Sequence, residues 1–168
     1  MSQAIEINGI NVTEMVEFKN TCRQDPTKAD RHPALVAHWV GGSRSRVEFR
    51  GKVVNIGGDD ELNPMQMLLA TLAACDVDLV ATHASLLSLK IESLSVEATG
   101  HFNVQSYMGL EGAPGSGYDA IAYTLRLSVP GATLEQIAYL RERCERSSPV
   151  GDSLARAIPL KLEFEASR

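Results

Sequence analysis

The chain has 168 residues, of which 44% are hydrophobic and 22% charged. That balance is the ordinary globular profile and excludes a disordered, collagen-like or coiled-coil chain. Sixteen Lys and Arg against twenty-one Asp and Glu give a net charge of −5. With no run of basic residues, the chain offers no electrostatic footprint for nucleic acid. Three scattered cysteines, Cys22, Cys75 and Cys144, fit neither a disulfide framework nor a zinc site. No basic stretch followed by an apolar core opens the sequence, and the apolar run Met65–Cys75 stops well short of a ~20-residue membrane span. The expectation is a reduced, cytoplasmic protein without membrane partners.

In chain order, Asn11 caps an expected helix over 11–24, with Val12, Met15 and Val16 on one stripe, and Asp25-Pro26 ends it. Residues 26–33 are polar and bounded by prolines, so 1–30 reads as an extension with one helix and 31–168 as the main domain. Strand-like runs over 34–40, 46–49 and 52–56 surround a Gly41-Gly42 turn, which predicts a hairpin.

Asn63 and Pro64 suit the N-cap and first position of a long helix over 65–87. That helix is apolar nearly all round, interrupted by Asp76, Asp78 and His83. Such a pattern predicts a helix buried on every side, which one small domain achieves only with a partner subunit. Strict alternation over 91–104 and 118–129 predicts an antiparallel pair of long strands across a Gly-rich loop. Thr133 and Gln136 form a capping box for a helix carrying Ile137, Leu140 and Cys144, and Ser148-Pro149 restarts a shorter one to about Ala157. Leu160, Leu162 and Phe164 alternate with charged residues, which predicts a final strand. Strands segregated from helices make this an α+β fold.

The sequence has no phosphate loop, no His pair at helical spacing and no Cys-x-x-Cys, so no cofactor or metal is expected. The remaining feature is Cys75, midway along the apolar helix and next to Asp76. Free cysteine packs well as a small hydrophobe, and an adjacent carboxylate opposes a thiolate. A reactive Cys75 therefore needs a cation, and Arg44 and Arg46 after the Gly-Gly turn are the nearest by topology.

The stretch NPMQMLLATLAAC resembles the central-helix motif of the OsmC/Ohr family of organic hydroperoxide reductases. The resemblance runs over about 34–166 and takes in AHWVGGSRSR, VEATGHF, YTLRLSVPGATLEQI and SSPVGDSL. It implies a two-layer α+β protomer, its long buried central helix wrapped by antiparallel sheets, in an intertwined homodimer with sites at the subunit interface. In active members a central-helix cysteine attacks the peroxide. An arginine from the early hairpin holds that cysteine as a thiolate, and a glutamate at the helix start holds the arginine. A second cysteine, opening the late helix, closes a disulfide.

By this resemblance Cys75 is the attacking thiol and Arg44 its arginine, with Arg46 as the alternative. Met65 stands at the glutamate position beside Gln66, and Ser148 stands at the second cysteine. Met65, Gln66 and Ser148 then line the substrate site. Ser148 also serves as an N-cap, and a serine oxygen closes no disulfide. A one-cysteine cycle with an external thiol reductant follows, unless Cys144, about one turn earlier, replaces the missing thiol. An apolar interface pocket favours organic hydroperoxides over hydrogen peroxide. The alternative is a non-catalytic dimer that binds an apolar small molecule or senses redox state.

Overall fold

The computed structural model describes residues 4–167. A short hairpin opens the chain: β1 (Glu6–Ile7) and β2 (Ile10–Asn11) pair across Asn8-Gly9. Both turn residues have positive φ, 53° and 75°, the conformation that Asn-Gly adopts most readily in a two-residue hairpin loop. Helix α1 (Val12–Gln24) starts where Asn11 accepts from the Glu14 N–H and ends at Asp25. Asp25 then caps a single 3₁₀ turn, Pro26–Ala29.

The segment before residue 30, expected as an appended arm, is bonded directly to the domain. Asn8 Nδ2 donates to Ser85 Oγ and to the Leu89 carbonyl, both at 2.9 Å, and Asn8 Oδ1 accepts from the Ile91 N–H at 3.0 Å. Ser85, fully buried, brings its hydroxyl to 3.0 Å from the Ile7 carbonyl. The hairpin turn is thus tied to the end of the long helix, and only α1 beyond it stays largely exposed.

Strands β3 (Val36–Trp39), β4 (Ser45–Phe49) and β5 (Lys52–Ile56) form an antiparallel sheet that includes the expected hairpin. Helix α2 (Pro64–Leu86) follows, closed at its start by a reciprocal capping box between Asn63 and Gln66. Strands β6 (Ser93–Phe102) and β7 (Tyr118–Ser128) form the second long antiparallel pair, with a bulge at His101/Phe102. Helices α3 (Leu134–Ser147) and α4 (Pro149–Ala155) meet at Ser148, which caps α4.

β6, α3 and α4 all pack against α2. Its buried residues Leu72, Asp76, Val80 and Ala84 recur every four positions, which puts one stripe of the helix inward. Ala84, Leu89 and Leu140 form the packed centre, with Leu127 and Tyr139 against it. Within one chain the helix is covered on one side: Thr71, Ala74 and Asp78 are exposed, and most other apolar positions of α2 are half-buried. One chain supplies cover for one side only.

One correction concerns the final strand. Residues 156–167 have no regular structure, and Leu160, Leu162 and Phe164 are 95%, 84% and 84% exposed. Alternation makes a strand only where another strand's backbone groups pair with it, and no strand of the described chain lies alongside.

His83 joins α2 to α3 through a 2.9 Å hydrogen bond between Nδ1 and the Tyr139 hydroxyl. Burial first, then the charges of Arg143 and Lys19, holds the imidazole below its ordinary value. The unfolded chain therefore takes up this proton before the folded one does. The contribution to stability is complete above about pH 6.5 and declines as pH falls from there through the folded value. Thermal unfolding of His83→Gln should show a shallower loss of Tm than wild type between about pH 7 and pH 5. Asn8→Ala, which removes three hydrogen bonds, two of them part-buried, should lower unfolding free energy by about 1–3 kcal/mol in urea titration.

Candidate functional site

Two stretches converge on one sulfur atom. Cys75 lies half-buried on α2, one position before the inward stripe residue Asp76. Across from it, the break between α3 and α4 brings in Ser148, only 2% exposed. Ser148 Oγ donates to Cys75 Sγ at 3.7 Å and accepts the Gly151 N–H at 3.2 Å. Among the described residues this is the hydrogen bond that reaches Cys75 Sγ. Gly151 leaves the room for it, since a Cβ there would lie 3.1 Å from Ser148 Oγ.

A cavity of about 580 Å³ opens beside this pair, within the range of small-molecule pockets. Met65, Leu68, Leu72, Ile121 and Tyr123 give it apolar walls, and Ser148 and Cys144 also line it. The Tyr118 hydroxyl donates to the Met65 carbonyl at 2.8 Å, and the Tyr118 ring packs edge-on against Phe102. These contacts fix the first turn of α2 against β6 and β7 as one side of the cavity.

Asp76 is the group that sequence reasoning left unplaced. It is 0% exposed, and neither carboxylate oxygen has a hydrogen-bond partner among the described residues. Its charge reaches two residues of the cavity wall. Burial, then Asp76, then Glu145 pushes the Cys144 thiol up to about 11, with Cys75 a further cause. Burial, then Asp76, also raises the Tyr123 phenol. At neutral pH Cys144 is therefore a poor nucleophile.

Of the residues expected at the site, Cys75, Ser148 and Met65 come together. Gln66 does not join them: its side-chain oxygen accepts from the Asn63 N–H in the helix cap, and it lies outside the cavity lining. Arg46 lies on β4 and Arg44 in the turn just before it, and the β3–β5 sheet makes no substantial contact with the helices of its own chain. Arg44 pairs with Asp60 at 4.0 Å and Arg46 with Glu48 at 3.1 Å, and neither bonds to Cys75. Tyr118 and Tyr123 gave no signal in sequence beyond strand alternation. Asp76 had one, because an acidic residue at the centre of an apolar helix is seldom buried without a reason.

An unpartnered buried polar group costs about 1–3 kcal/mol, and an ionised one more. Asp76→Leu should therefore raise the midpoint of chemical unfolding. An unchanged or lower midpoint would mean that another group satisfies Asp76 in solution.

Comparison with known proteins places these features in a family. Residues 57–163 match the family model described as OsmC-like protein. An OsmC-like protein from Mycoplasma pneumoniae superposes with TM-score 0.63 at 16% identity, over 75% of this chain and 89% of that one. A hypothetical protein from Aquifex aeolicus gives 0.60 at 12% identity over 75% and 89%. An organic hydroperoxide resistance protein, OsmC, from Legionella pneumophila gives 0.50 at 18% identity over 75% and 90%. No curated protein matches the chain. The family match takes in Cys75 and Ser148 but begins after Arg44 and Arg46.

Proposed function

Because the chain belongs to the OsmC-like protein family, we propose that it reduces organic hydroperoxides with Cys75 as the attacking thiol, in a one-cysteine cycle. One observation carries the reading: the Cys75 sulfur lies within hydrogen-bond reach of Ser148 beside an apolar cavity. The name of the Legionella pneumophila protein, which concerns organic hydroperoxide resistance, supports the substrate class.

In the proposed cycle the Cys75 thiolate attacks the terminal peroxide oxygen and the O–O bond breaks. The alkoxide leaves, takes a proton to become the alcohol, and Cys75 becomes a sulfenic acid. An external thiol then attacks the sulfenic sulfur and releases water. A second thiol attacks the mixed disulfide and restores Cys75. Resolution from within the chain is disfavoured by a serine at 148 and by the Cys144 thiol, which is pushed up to about 11. Apolar cavity walls favour alkyl over hydrogen peroxide.

The thiolate also needs a cation, and we assign that to a second copy of the chain. The β3–β5 sheet and its turn expose Trp39, Val40 and Val54, and Leu160, Leu162 and Phe164 are exposed as well. A homodimer that covers these faces and the open side of α2 would bring Arg44, or Arg46, of one copy toward Cys75 of the other. Two sites per dimer and a reducing, cytoplasmic setting complete the reading. Residues 1–30 then act as an extension bracing the end of α2, and 31–168 as the OsmC-like domain. The second reading is a dimer that binds an apolar molecule or senses redox state without turnover. It is favoured by the fact that no cation of the described chain bonds to Cys75 Sγ.

The decisive assay follows cumene hydroperoxide consumption with a dithiol reductant. Wild type and Cys144→Ser should turn over at similar rates, and Cys75→Ser should lose activity entirely. Equal rates for wild type and Cys75→Ser would leave only the binding reading.

A further inference from the structure

We infer that Ser148 is a catalytic residue: its hydroxyl proton stabilises the Cys75 thiolate, in the position from which the resemblance expects a second thiol to close a disulfide. The inference rests on the peroxidase reading for its role in turnover, but its geometric basis is independent of it.

Ser148 has one hydroxyl proton and two lone pairs to place in a site where it is 2% exposed. Its acceptor side takes the Gly151 N–H at 3.2 Å, which is the ordinary N-cap bond of α4. Capping therefore accounts for a lone pair and leaves the proton unassigned. That proton faces Cys75 Sγ at 3.7 Å. A neutral thiol gains little from such a donor, whereas a hydrogen bond to an ionised acceptor is roughly twice as strong. The contact thus favours the ionised sulfur over the neutral one.

Ser148 also reaches the cavity that Cys75 itself does not line. A hydroperoxide held in that cavity meets the serine on its wall, with the sulfur 3.7 Å from the serine oxygen. After oxygen transfer the same hydroxyl remains within reach of the oxidised sulfur. No bond to Ser148 forms or breaks in either step. It acts by donation alone, and so it holds the oxidised cysteine open for an external thiol. The buried carboxylate of Asp76, next in sequence to Cys75, makes this donor more necessary, since no cation of the described chain hydrogen-bonds to the sulfur.

The test reads Cys75 directly and needs no turnover. Iodoacetamide labelling at pH 7, followed peptide by peptide by mass spectrometry, measures how much of Cys75 is present as thiolate. Ser148→Ala should slow labelling about tenfold, the effect of losing one hydrogen bond to a charged acceptor. Ser148→Gly retains most of the capping stability and should slow it equally, which separates the donor from the cap. Ser148→Thr keeps the hydroxyl and should label at close to the wild-type rate. Wild-type labelling rates in folded Ser148→Ala or Ser148→Gly would overturn the inference.

Ser148→Cys tests the geometry separately. Treated with cumene hydroperoxide, it should lose two hydrogens and link Cys75 to the introduced thiol. A folded Ser148→Cys protein that forms no such link would show that position 148 does not face the sulfur. A wild type inactive toward hydroperoxide would end the peroxidase reading, while the labelling series would still decide the role of the serine.

Discussion

The arrangement depends on one constraint: α2 buries a single stripe, Leu72–Asp76–Val80–Ala84, and Cys75 sits at the edge of that stripe. Were the helix turned by one residue, Cys75 would point into the packed interior and Asp76 outward. At the edge, the sulfur stays half-buried and meets the α3–α4 junction, where Ser148 is held by its own capping bond. The cap and the site use the same side chain. Position 148 is thereby fixed by backbone geometry, whatever chemistry the cysteine performs.

The price of this placement is Asp76. Burial first, and then this carboxylate without partners, raises both Tyr123 and Cys144 and leaves Cys144 a weak nucleophile. The exposed apolar face of the β3–β5 sheet and the unpaired segment after residue 155 agree with a chain whose folding is completed by association.

Much of the fold was legible because its signals are local. Asn63-Pro64, Thr133 with Gln136, and Ser148-Pro149 mark helix starts through backbone N–H groups that need partners, and each appears where its chemistry requires. Alternation located β6 and β7 for the same reason. The final strand failed because alternation does not specify a pairing partner. Asn8-Gly9 carries an equally local hairpin signal, but strands of two residues show no alternation to draw attention to it. Within the site, Cys75 and Ser148 were legible from residue type and resemblance. Gln66 is engaged in the cap of α2, where a polar side chain at the third helical position bonds the N-cap backbone. That Asp76 faces inward depends on which side of α2 is covered, and no pattern of one helix taken alone contains that information.

The most direct measurement is the mass of the intact protein after one equivalent of cumene hydroperoxide, with the modified peptide then identified. The account predicts a gain of a single oxygen atom, located on Cys75 and trapped by a sulfenic-acid reagent. Loss of two hydrogens, with Cys75 linked to Cys144, would contradict it.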